Sequence, residues 1–127
     1  MIRTWFTSTT SLRHALAALL VAVVGTAWAQ GAEQQETLDA ATLIENGAFY
    51  LDRGDCALAQ FFYQEALRSE PNNAVGLVGK GRALACQGAY PAAIETFQAA
   101  QAADANLVDA HIYLAITYQN QYQADPS

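Results

Sequence analysis

The 34 residues Ala40–Asn73, AATLIENGAFYLDRGDCALAQFFYQEALRSEPNN, decide the reading of this chain, because the next 34, Ala74–Leu107, repeat their pattern. Laid one over the other, Ala40 meets Ala74, Leu43 meets Leu77, Gly47 meets Gly81 and Gly54 meets Gly88. Ala59 then meets Ala93, Gln64 meets Gln98, Ala66 meets Ala100 and Asn72 meets Asn106. Eight identities in 34 positions exceed chance even in an alanine-rich chain, and Ile44 with Val78 and Tyr63 with Phe97 are conservative pairs in the same register. Within the first stretch the apolar or small residues recur at three and four, as in Leu43, Gly47, Tyr50 and again in Ala59, Tyr63, Ala66, which is the spacing of one helix face. No strand-like alternation occurs. Breaks fall at Arg53-Gly54-Asp55, Pro71-Asn72-Asn73, Gln87-Gly88-Ala89 and Asp104-Ala105-Asn106. Gly54 and Gly88 suit the left-handed conformation that ends a helix, Asp55 and Asn73 suit helix caps, and Pro91 suits a first turn. The pattern predicts an all-α chain with helices over 39–53, 56–69, 74–87, 90–103 and 108–121, organised as helical hairpins of one period.

At these residues the chain resembles the tetratricopeptide repeat family. The first repeat, 40–73, carries Leu43, Asn46, Gly47, Tyr50, Gly54, Ala59, Tyr63, Ala66, Leu67 and Pro71. The second, 74–107, carries Leu77, Gly81, Leu84, Gly88, Tyr90, Ala93, Phe97 and Ala100, with Ala105 in place of the usual proline. A third, 108–121, opens with His111, Leu114, Ala115 and Tyr118 and stops before its second helix. The resemblance implies a right-handed helix-turn-helix solenoid of two full repeats plus a third first helix, a domain of 39–121 with a tail of 122–127. Gly47, Gly81, Ala115, Ala59 and Ala93 would let paired helices approach, and Tyr63 and Phe97 would fill the space between hairpins.

By the family's register the first helix of each repeat lines a concave groove. That places Ile44, Ala48 and Leu51 on one wall, Val78, Arg82 and Ala85 in the middle, and Ile112 and Ile116 on the far wall. Such a groove is apolar with one cation, unlike the Lys-, Arg- and Asn-rich surface of members that clamp a terminal carboxylate. The family's stacking also brings the start of the second helix, Cys56, near the end of the third, Cys86. A Cys56–Cys86 disulfide is then expected in an oxidising compartment, with two unpaired thiols as the alternative; no CxxC motif supports redox catalysis. The last helix, lacking a packing partner, would expose Leu114, Ala115 and Tyr118 as an association face.

Composition bounds the function. Both tryptophans, Arg3 and Arg13 precede Gln30, whereas all twelve acidic residues follow Gly31. From Gln30 onward four cations, Arg53, Arg68, Lys80 and Arg82, stand against twelve anions, a net charge of −8. Such a surface repels phosphate, so no nucleic-acid partner is expected. The mature segment holds one histidine, His111, in a place that is apolar in the first two repeats, and two serines, Ser69 and Ser127. It shows no carboxylate cluster at metal-ligand spacing and no glycine loop after a strand; Gly76, Gly79 and Gly81 lie within a predicted helix. No enzyme, metal or cofactor is expected.

Residues 1–14 contain Arg3, Arg13 and His14 without an acid, Ala15–Gly25 has no polar side chain, and Ala27-Trp28-Ala29 supplies the small residues a signal peptidase needs. This reads as a secretory signal over 1–29 cleaved between Ala29 and Gln30, with a polar spacer at 30–38. The apolar stretch falls short of the roughly 20 residues of a membrane span, and a transit peptide would be amphipathic. The expected location is periplasmic or extracellular, most simply a bacterial envelope, with no membrane insertion after cleavage. The favoured function is a non-enzymatic adaptor holding a peptide or helix of another protein in the apolar groove. The alternative is a structural subunit that self-associates, as a homodimer, through the exposed face of its last helix.

Overall fold

Asp39 starts the first helix from outside it: its backbone is extended and its carboxylate accepts a hydrogen bond from the Thr42 amide at 2.8 Å. An unpaired amide of the first turn is thereby satisfied. The same job at the third helix falls to Asn73, whose side chain accepts from the Gly76 amide at 3.0 Å. The computed structural model describes residues 37–127, and the expected signal segment, its cleavage point and nearly all of the spacer lie outside them. The described helices are α1 (Ala40–Asp52), α2 (Cys56–Ser69), α3 (Ala74–Cys86), α4 (Tyr90–Ala103) and α5 (Val108–Ala124). Among the described residues there is no strand, and no helix is long and apolar enough to cross a membrane.

Three sequence expectations need correction. Asp55 makes no side-chain cap: its backbone (φ −81°, ψ 65°) is not in the extended conformation from which Asp39 and Asn73 reach the third amide of their helices, and its carboxylate is left exposed. Predicted ends at 53 and 87 are C-caps rather than helix residues. The last helix runs three residues beyond 121, into the expected tail, because nothing from Gln119 to Ala124 breaks a helix and the first proline after it is Pro126.

The backbone repeats as the sequence does. Gly54 (φ 83°) and Gly88 (φ 77°) take the left-handed conformation, one period apart. After each, the amide of the next residue donates back to the preceding helix, Asp55 to the Tyr50 carbonyl and Ala89 to the Leu84 carbonyl, at 2.9 and 3.0 Å. These bonds close the ends of α1 and α3 in the same way and turn the chain into the next helix.

Helix packing follows from how little side chain is buried. Ala59, Ala66, Ala83, Ala93, Ala100 and Ala110 are wholly buried, and only a few larger side chains join them. Tyr63 of α2 fills the junction of α1, α2 and α3 with Ala59 and Ala83, against Ile44, Tyr50 and Leu51. Phe97 of α4 does the same one period on, with Val78, Ala93, Ala100 and Ala110. The rings need space on the facing helices. A β-carbon at Gly47 would come within 2.9 Å of the Tyr63 ring, one at Gly81 within 2.6 Å of the Phe97 ring, and one at Gly79 would run into Tyr63 more deeply still. Each neighbouring pair in chain order is packed. In addition α1 touches α3 and α3 touches α5, whereas α2 and α4 do not meet. The helices therefore form two layers, α1, α3 and α5 in one and α2 and α4 in the other. The first layer carries the candidate site.

Candidate functional site

Between the C-terminal halves of α1 and α3 and the middle of α5 lies a cleft of about 310 Å³. Leu51 of α1, Ala85 and Cys86 of α3, and Ile116 of α5 form its apolar walls, with Phe97 of α4 at the bottom. Tyr113, Thr117 and Asn120 complete the α5 side, and Arg82 of α3 supplies the only charged side chain among the lining residues.

The cation is held in place by a stack. The Arg82 guanidinium lies 4.8 Å from the centre of the Tyr113 ring, and that ring lies 6.1 Å from Phe97 at an interplanar angle of 15°. Phe97 is wholly buried, so the stack stands on the core. A guanidinium over an aromatic face is stabilised by about 0.5–2 kcal/mol, and its side chain has less rotamer freedom left to lose when it meets a partner. The sole ion pair among the described residues joins Arg68 to Glu65 on α2 at 3.4 Å, so Arg82 has no carboxylate within 4.0 Å there. Its charge reaches inward as well. Burial pushes the Tyr63 hydroxyl above its ordinary value of 10.0, while Arg82 acts to lower it and Asp52 to raise it. On the α5 side of the cleft, buried Thr117 donates to the Tyr113 carbonyl one turn earlier, which satisfies its hydroxyl within the apolar interior.

The predicted groove residues divide. Leu51, Arg82, Ala85 and Ile116 line the cleft together. Val78 does not: at 7% exposure it belongs to the Phe97 core, because its side of α3 faces α4 and α5. Ile44 is half-buried against the Tyr63 core rather than standing free on a wall. Ala48 is half-buried, and Ile112, 49% exposed, lies on α5 outside the cleft. Phe97, Tyr113, Thr117 and Asn120 were not expected as lining residues. For Tyr113 a signal existed: one period after Gly79 the chain replaces glycine by tyrosine, so the space that admits Tyr63 in one junction is taken in the next by a ring stacked on Phe97.

The expected association face also changes. Leu114 is half-buried and packs against the Phe97 core, because α5 turns its 110, 113, 114 and 117 positions inward. Ala115 and Tyr118 are exposed as expected, and Tyr122, at 68% exposure, extends the surface. His111 is exposed and ties the start of α5 to the preceding turn, with Nδ1 2.7 Å from the Gln101 amide nitrogen and Nε2 3.1 Å from the Ala105 carbonyl.

Cys56 and Cys86 form a disulfide across α2 and α3, with their α-carbons 6.1 Å apart. Cys56 is buried and Cys86 exposed at the rim of the cleft. The Gln87 side chain reinforces this crossing by donating to Gln60 Oε1 at 2.7 Å and to the Ala83 carbonyl at 3.0 Å. A broader depression of about 610 Å³ lies over the disulfide, lined by Gly54, Ala57, Leu58 and Gln87, with Asp55 the one charged residue among the described ones there.

Comparison with protein-family models found no match, and comparison with curated proteins found none either. The chemistry of the cleft is therefore the ground for a functional reading.

Proposed function

We propose that this chain is a non-enzymatic adaptor that binds a peptide segment of another protein in the Arg82 cleft. The observation that carries the reading is the joint placement of Leu51, Ala85 and Ile116 around a cation braced by Tyr113. Convergent polar groups set beside apolar walls in a concave site are the mark of a binding site, and at about 310 Å³ this one stands at the small end of the usual size range. We read the fold as a tetratricopeptide-type solenoid over 39–121, because the 34-residue repeat recurs in the turns, the glycine contacts and the alternation of layers. Export to an oxidising compartment accords with the disulfide and with the small-residue cleavage pattern before Gln30.

The test is selection from a random peptide library, followed by calorimetric titration of the enriched peptides against wild type and Ile116→Asp. Ile116 is 44% exposed, so the change should leave the fold intact while setting a charge in the apolar wall. Affinity should fall by at least about tenfold. Selected peptides that bind the variant as well as wild type would remove the cleft from the account.

A second reading has its own observation. Tyr118 (47% exposed), Tyr122 and Ala115 leave an apolar and aromatic surface on α5. Self-association through that surface would make the protein a structural subunit, and light scattering across a concentration series separates a dimer from a monomer.

A further inference from the structure

The adaptor reading leaves the ligand's chemistry open, and the cleft narrows it. Arg82 is the only charged residue among the described ones lining it, faces no described carboxylate within 4.0 Å, and is fixed on Tyr113 before any ligand arrives. A guanidinium presents five N–H donors in a planar fork that matches the two oxygens of a carboxylate. Asn120 lines the same cleft and adds a neutral amide donor. Leu51 and Ile116 offer apolar surface beside these polar groups.

The rest of the molecule sets a limit on the number of charges. From Gln30 onward the chain carries −8, so a run of acidic residues would meet a repulsive overall field even as one of them met Arg82. Asp52, on the last turn of α1 next to Leu51, is the acid nearest in sequence to the cleft's α1 wall, and its charge acts on Tyr63 together with that of Arg82. One ligand carboxylate gains from Arg82; each further one only adds to the repulsion from the chain's net negative charge. The small volume points the same way, since about 310 Å³ holds a few side chains of an extended segment rather than a whole helix face.

We propose that the cleft recognises a linear peptide segment with a single acidic side chain flanked by apolar residues, the carboxylate on Arg82 and Asn120 and an apolar neighbour against Leu51 and Ile116. This rests on the cleft being the binding site, as proposed above. It differs from recognition of a chain terminus, because the carboxylate comes from a side chain within the segment.

The experiment is a peptide library displayed with its C-termini fused, so that no free terminal carboxylate is present, selected on immobilised protein expressed from the full chain. Parallel selections use Arg82→Met, which keeps an unbranched stem over Tyr113 without the charge, and Ile116→Asp. On wild type the enriched peptides should carry one Asp or Glu beside Leu, Ile, Val or Phe. On Arg82→Met the acid should disappear while the apolar preference stays. A synthetic enriched peptide should lose at least about tenfold in affinity on Glu→Gln or Asp→Asn exchange, and the same on Arg82→Met, with no further loss when the two are combined. Added flanking acids should weaken binding at low salt, and raising the salt should diminish that penalty. Apolar peptides that need Ile116 but show no acid enrichment would overturn the charge inference and leave the cleft reading standing. Peptides indifferent to both Arg82 and Ile116 would overturn both. Circular dichroism of each variant, matched to wild type, confirms that the comparison is between folded proteins.

Discussion

Gly79→Ala should destabilise the protein, although in an ordinary helix interior the same change is favourable by about 1 kcal/mol. The reason is the Tyr63 ring. It is only 2% exposed and fits between α1 and α3 where those helices present glycine. A β-carbon at 79 would come within 2.6 Å of Tyr63 Cδ1 and closer to two other ring atoms, far inside van der Waals contact. The ring has little room to yield toward α1, because it already packs on Gly47 there, closely enough that a β-carbon at that residue would lie within 2.9 Å of it. Overpacking a well-filled core typically costs about 1–3 kcal/mol. A shift large enough to admit this methyl belongs at the upper end, so after the propensity gain the expected net loss is about 2 kcal/mol. For a domain of this size that lowers the melting temperature by roughly 8–16 °C. Urea unfolding followed by circular dichroism at 222 nm, with the disulfide intact, gives the value directly. Repeating Gly79→Ala in a Tyr63→Leu background isolates the cause, since a smaller side chain relieves the clash and the substitution should become neutral or stabilising. If Gly79→Ala stabilises the wild-type protein by the helix-propensity amount, the packing of Tyr63 against α3 has been misread.

Reduction of the Cys56–Cys86 disulfide, which closes a loop with a sequence separation of 30, should lower stability by roughly 3–4 kcal/mol; equal urea midpoints with and without reductant would contradict that. Tyr63 gives an alkaline signature. Because burial raises its folded-state pKa above 10.0, its contribution is fully present below that pH and is lost as pH rises through the folded value. The stability of wild type should therefore fall more steeply above pH 10 than that of Tyr63→Phe, and parallel curves would count against a buried, neutral phenol. Leu114→Glu should reduce the thermal stability of the folded chain itself by about 2–4 kcal/mol, because a carboxylate would replace a side chain packed on the Phe97 core. Tyr118→Glu, on an exposed position, should change it by no more than about 0.5 kcal/mol.

The fold was legible because its determinants are local. Gly54 and Gly88, Asn73 and the recurrence of small residues at helical spacing name their helix ends and faces without reference to distant contacts. Sliding the chain on itself then placed Tyr63 and Phe97 in equivalent roles, and both are core rings. The site was legible only in part. Register alone puts Val78 and Arg82 on the same groove, yet a four-residue step on a helix turns a side chain by about 40°, enough to separate core from cleft. Which of them is buried depends on how α4 and α5 sit against α3. Likewise Leu114 looked free on the expectation that α5 lacks a packing partner, whereas α4 already covers it. Gly79 entered the sequence reading only as a glycine within a predicted helix; its purpose appears only when Tyr63 from α2 is seen to enter that space. Asp55 illustrates the opposite error, a residue of the right type at a helix start whose backbone departs from the extended conformation a capping side chain needs.

The most direct test of the binding account is amide chemical-shift mapping of the protein during titration with an acid-bearing peptide from the library selection. The account predicts the largest changes at Leu51, Arg82, Ala85, Tyr113, Ile116 and Asn120, with Arg82 Nε–Hε responding in the same titration and saturating at the same peptide concentration. Changes centred instead on Tyr118 and Tyr122, or on the outer surfaces of α2 and α4, with the Arg82 signal unmoved, would contradict it.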